Sequence, residues 1–226
     1  MMEPIIEETR TLASSTYSRL REDILRAELT PGSKLNIRAL CVRFNVGLSP
    51  VREALSRLSS EGLVRRVDQR GFTVADLSSA ELVSLTRARC WINEIGLRRS
   101  IECGGLVWEE GLLLAFHRMQ RVPRVEQDPH ERSPAWASAH MHFHRALVCA
   151  SGSDWITQFC DELFEAAERY RYFARRAERV RANVADEHEA IMSAAIAGDA
   201  DLAVERLNAH FQHTAGLVEQ ALKDRT

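Results

Sequence analysis

Apolar residues recur along the first third of the chain at the spacing of short helices. Tyr17, Leu20, Ile24 and Leu25 predict an amphipathic helix over 15–28, and Pro31-Gly32 ends it with a turn. Ile37, Leu40, Cys41 and Phe44 predict a second helix over 36–44, followed by the tight turn Asn45-Val46-Gly47. Ser49 as N-cap and Pro50 as first helical residue predict a third helix running to about Ser60. Its inward residues are Val51, Leu55 and Leu58, and Gly62 stops it. Leu63-Val64 and Phe72-Thr73-Val74 are strand-like, around a basic tip from Arg65 to Gly71. Helix, turn, helix and two strands outline a winged helix-turn-helix, a shape that delivers one helix to the DNA major groove.

Beyond residue 76 only the helical period appears, without a sequence repeat. Ser78 and Glu81 make a capping-box pattern for a long helix over 78–103. Further helices are predicted at 106–120, 133–150, 153–177, 179–197 and 199–222, with Ser133-Pro134, Ser153 and Asp199 as start signals. The stretch 121–132, with two prolines and no apolar period, reads as a loop. The fold class is therefore mostly α: an N-terminal winged helix-turn-helix (10–76) plus a C-terminal all-α antiparallel helical bundle of six to seven helices (77–222).

Composition narrows the class. With 226 residues, 45% of them hydrophobic, two small cores are affordable to the chain. No apolar run is long enough to span a bilayer, and the acidic start MMEPIIEETR lacks the apolar stretch of a secretory signal. Five scattered cysteines without a CxxC read as reduced thiols, pointing to the cytoplasm. The net charge of −2 hides an asymmetry. Residues 10–75 carry twelve Lys or Arg against six Asp or Glu, the first nine residues are acidic, and 76–226 is acidic overall. A basic module joined to an acidic one fits a DNA reader attached to a domain that leaves DNA alone.

Polar residues at the start of a recognition helix meet base edges, and arginines around it meet phosphates. Ser49, Pro50 and Arg52 occupy that end; Arg38 opens the second helix, and Arg57 lies one and a half turns further along the third, facing solvent or phosphate. Arg65, Arg66, Gln69, Arg70 and Gly71 form the wing. The stretch PGSKLNIRALCVRFNVGLSPVREALSRLSSEGLVRRVDQRGFTVADLS, with its PVREAL-x-x-L-x-x-EGLV core and RGF-x-V, resembles the N-terminal domain of the GntR family of bacterial regulators. The residue two before the proline is often a base-contacting arginine in that family; here it is Leu48.

Histidines supply the second chemical signal. His140 and His144 are four apart and share a helix face, so both imidazoles can grip one ion. His188 and His210 lie on later helices that an antiparallel bundle can bring to the same point. His142 points elsewhere, His213 is a spare outside the shell, and His117 and His130 are surface residues. Trp91, Trp108, Trp136 and Trp155 are core anchors or dimer contacts.

The region also resembles the FCD ligand-binding domain of the FadR-type subfamily. Its metal-binding members carry Asp-x-x-x-His on one helix and single histidines on two later ones. The resemblance implies His140, His144, His188 and His210 as ligands, with His140 standing where most members have aspartate. Imidazole in place of carboxylate leaves the site one charge more positive, which favours Zn²⁺, with Ni²⁺ second, and strengthens the pull on an anionic effector. The resemblance also implies that Arg89, on the first helix of the domain, binds an effector carboxylate. Arg145, Arg169 and Arg171 are further candidates by their place in the sequence, and the alternation of Arg-Tyr-Arg at 169–171 turns one arginine inward.

The resulting expectation is a homodimeric repressor of a palindromic operator in double-stranded DNA, governed by a small carboxylate at a metal site, with no membrane partner. Two rivals are a metal-dependent hydrolase or lyase with a DNA-binding appendage, and a DNA-binding dimer with no effector. The hydrolase needs a general base, and Asp186, Glu187 and Glu189 are the only acidic groups beside a ligand, with nothing in the sequence to order them.

Overall fold

A computed structural model describes residues 11–26, 28–67, 71–125, 133–176 and 184–224. They fall into two compact units, one up to Leu77 and one from Ser78.

In the first unit α1 (Leu12–Leu25) starts earlier than its apolar period suggests, because the Thr11 side chain accepts a hydrogen bond from the Ser14 N–H. Helix α2 (Ile37–Phe44) is capped by Asn36, whose side chain accepts from the N–H groups of Arg38 and Ala39. It ends at Asn45, in the left-handed region at φ 53°, a conformation asparagine tolerates. Helix α3 (Leu48–Ser60) corrects the expected cap: Gly47, not Ser49, is the N-cap, and no side chain caps it. Pro50 is tolerated one turn in because the first N–H groups of a helix have no internal partner. Ser49 is thereby released from capping and stays exposed.

The wing is three-stranded rather than two-stranded. Strands β2 (Val64–Val67) and β3 (Gly71–Val74) pair antiparallel, with Val64 opposite Val74 and Val67 opposite Gly71. A two-residue strand β1 (Lys34–Leu35) joins the other edge of β3, giving the order β1-β3-β2. Two residues carry no readable alternation, so pairing with Phe72 and Thr73 defines β1. The core of this unit is apolar: Leu20, Ile24, Leu40, Phe44, Val51, Leu55, Leu58 and Val64 form one cluster.

The second unit is helical: α4 (Ser79–Cys103), α5 (Gly105–Arg121), α6 (Pro134–Val148), α7 (Asp154–Arg176), α8 (Val184–Ile196) and α9 (Ala200–Lys223). The predicted starts hold where caps are visible: Ser78, Ser133 and Asp199 each accept from an N–H of the first turn. The expected start of α8 at 179 lies outside the described residues. Helix α4 packs on α7 and α9, α5 on α6, and α8 on α9. Gly96 permits a close approach of α4 to α6 and α7: a Cβ there would stand 3.0 Å from Val148 and 3.1 Å from Ile156. Among the described residues no helix is long and apolar enough to cross a membrane. Trp108 and Trp136 anchor the core, and Trp108 Nε1 donates to the Ala146 carbonyl at 2.7 Å. Trp91 and Trp155 are largely exposed.

Candidate metal centre and nucleic-acid interface

The apolar stripes of three helices carry the histidines inward. On α6, His140 and His144 share the buried face of Trp136, Phe143 and Leu147. On α8, His188 lies among Val184, Ile191 and Met192; on α9, His210 lies beside Leu207 and Phe211. All four imidazoles are buried, and each offers one donor atom within 4.8 Å of the others. His140 Nε2 is 3.0 Å from His144 Nε2 and 3.2 Å from His188 Nε2. Trp136 stacks on His140 with ring centroids 4.5 Å apart, which fixes the ring plane. Burial holds the His144 pKa well below its ordinary value, helped by the neighbouring histidines and by Arg89 and Arg171. His144 is therefore neutral and offers a lone pair.

Glu187 corrects the expectation that nothing orders the acidic groups. Its Oε2 lies 2.8 Å from His210 Nδ1, and its Oε1 lies 3.1 Å from His213 Nδ1. A carboxylate only accepts, so Nδ1 of His210 carries the proton and Nε2 keeps its lone pair. His213 is exposed and His142 turns back to the Ser138 carbonyl at 2.7 Å; neither joins the cluster. His117 is exposed, and His130 lies outside the described residues.

The arginines separate. Arg89 is buried in α4 with its guanidinium 3.9 Å over the Phe211 ring. Burial, reinforced by the like charge of Arg171, pushes its pKa down to about 9, so it stays cationic at neutral pH. Its Nε and the Nδ1 of His144 are buried without hydrogen-bond partners among the described residues. Both side chains line one small cavity with Asn93, Cys160 and Phe164. Arg171 stacks 4.4 Å over Phe164 and is paired with Glu168. Arg145 borders the same cavity but is largely exposed and bonded to Asp161 at 3.1 Å. Arg169 is bound to Glu81 at 2.7 Å.

In the first unit the chemistry lies outside. Arg38, Leu48, Ser49, Arg52, Arg65, Arg66 and Gly71 are exposed, and Pro50 is half-buried. Arg57 stacks 4.1 Å over Tyr17, whose hydroxyl donates to Glu61 at 2.7 Å, so it braces α3 against α1. Gln69 and Arg70 lie outside the described residues.

A winged helix-turn-helix with an exposed basic helix end, followed by a helical unit with a buried histidine cluster, defines a DNA-binding regulator with a ligand-type domain. The comparisons with known proteins agree. Residues 12–74 match the family of bacterial regulatory proteins, gntR family, and residues 84–213 match the FCD domain. The HTH-type transcriptional regulator BphR of Paraburkholderia xenovorans is 35% identical over 95% of this chain and 88% of its own. The HTH-type transcriptional repressor GlaR of Escherichia coli is 30% identical over 91% of this chain and 95% of its own. A GntR transcriptional regulator from Rhodococcus sp. RHA1 superimposes with a TM-score of 0.70 at 19% identity, covering 92% of this chain and 97% of its own. The chain belongs to the GntR family, in its FadR-like branch with an FCD domain. It is a DNA-binding transcriptional regulator, and the hydrolase or lyase reading falls, since its relatives are regulators.

Proposed function

We propose that this regulator is a homodimeric repressor whose hold on a palindromic operator is set by a small carboxylate bound at a metal centre. His140, His144, His188 and His210 hold the ion, Zn²⁺ before Ni²⁺. The donor set fits: nitrogens about 2.0–2.1 Å from one Zn²⁺ stand roughly 3.0–3.4 Å apart, and two of the pairs lie at 3.0 and 3.2 Å. When bound, the ion supplies Lewis-acid coordination to an anionic oxygen.

The observation that carries the reading is the pairing of this cluster with Arg89. A buried guanidinium Nε and a buried imidazole Nδ1 border one cavity as unmatched donors. With its Nε2 committed to the ion, His144 presents Nδ1 as N–H, and an effector carboxylate that widens this cavity of about 10 Å³, room for one water, satisfies both groups. Effector binding shifts the dimer between arrangements of different operator affinity, with a coupling of about 1–3 kcal/mol. Exposed Trp91 and Ile95 on α4, and Trp155 and Phe159 on α7, offer the apolar surface for the second copy.

Elemental analysis of untreated protein, then thermal shifts across a panel of organic acids with and without chelator, tests the reading. About one divalent ion per chain and a carboxylate shift that chelation abolishes support it. Protein that takes up no ion at micromolar Zn²⁺ refutes the metal centre. Sedimentation at micromolar concentration reads the dimer; a monomer refutes that part.

A further inference from the structure

We infer that Leu48 reads a thymine methyl group in each half-site. Leu48 is the first residue of α3 and is 54% exposed, although Val51, Ala54, Leu55 and Leu58 on the same helix are fully buried. One exposed leucine is ordinary on a protein surface. Its position makes this one informative, because the opening residues of a recognition helix approach base edges.

The frame around it is that of a DNA surface. Ser49 and Arg52 on α3, Arg38 on α2, and Arg65 and Arg66 on β2 are all exposed. The arginines complement phosphate by charge and the serine by its hydroxyl, which leaves the leucine as the group with nothing to offer a phosphate. A leucine neither donates nor accepts. Facing a guanine or cytosine edge, it would strip water from polar groups and return no hydrogen bond. Among the major-groove edges only thymine presents an apolar group, its C5 methyl. Leu48 therefore selects an A·T pair by contact with that methyl, while Ser49 and Arg52 stay free for polar edges and phosphates. Gly47 contributes by capping α3 without a side chain that would stand between Leu48 and the groove.

The test uses the full chain. Duplexes are selected from a randomised pool, and each thymine of the preferred duplex is replaced in turn by deoxyuridine, which lacks only the methyl. One thymine per half-site should lose about fourfold in affinity, the loss for one buried methyl-sized group. Leu48→Ala should bind the thymine and deoxyuridine duplexes alike. Leu48→Arg should shift that pair to G·C, since arginine bonds guanine O6 and N7. Equal affinity for every deoxyuridine duplex, or an undiminished methyl dependence in Leu48→Ala, overturns the inference. A pool in which the native chain enriches no sequence overturns the reading of α3 as a sequence-reading helix, and Leu48 with it. Thermal unfolding of both variants, expected to match the native chain, separates lost contact from lost fold.

Discussion

The two units distribute their polar chemistry in opposite ways. Among the described residues of the reading head the buried side chains are apolar apart from Thr16, and Arg38, Arg52, Arg65 and Arg66 stand outside. In the helical unit four histidines, Arg89 and Asn93 are buried in the bundle. DNA is a large external polyanion, so its contacts belong on a surface that water already solvates. A small ion or acid is recognised by enclosure, where the low dielectric strengthens each polar contact and makes each unmatched one costly. The difference teaches where function and stability separate. Changing the outer chemistry should remove activity and leave the fold; changing the inner chemistry should disturb both.

The sharpest test is His188→Ala. His188 is fully buried at the meeting of α6, α8 and α9. Metal affinity, read by competition with a chelator, should fall at least about hundredfold, past the range for residues behind the ligands. A full metal complement in this variant would break the inner half of the comparison.

Arg52→Ala tests the outer half. Operator affinity should drop roughly ten- to hundredfold, the scale of one good base contact. Its melting temperature should stay within about two degrees, since an exposed substitution costs under about 0.5 kcal/mol. A drop of several degrees would show that the reading head also keeps structural chemistry on its surface.

Glu187→Gln is subtler. The amide keeps an acceptor near His210 but loses the charge that holds the Nδ1 proton and raises ligand basicity. Metal affinity should fall about tenfold, with a changed Co²⁺ absorption spectrum and little change in helicity. An unaltered spectrum and affinity would reduce Glu187 to a surface contact. The smallest effect is assigned to packing alone: Gly96→Ala should lower stability by about 1–3 kcal/mol in thermal unfolding while metal stoichiometry holds. A variant as stable as the native chain would mean that α4 shifts freely against α6 and α7.

Much of this was legible in the chain. Ser78, Ser133-Pro134 and Asp199 announced helix starts because capping is a local matter of one side chain and the next N–H groups. The spacing of His140 and His144 announced a shared face because helical period is local too. Ser49 misled because Ser-Pro is an equally good start one residue or two further in, and the position of Gly47 in the turn settled the matter. Strand β1 was unreadable at two residues.

The sequence by itself determined most of the elements, their inner faces and the shared face of His140 and His144, since all of these follow from interactions within a few positions. Only the tertiary structure decided that His210 is held by Glu187, twenty-three residues away, that Arg89 rather than Arg145 is buried beside His144, and that Leu48 is left uncovered. Each depends on which helix packs against which, and that choice is made by the whole core at once.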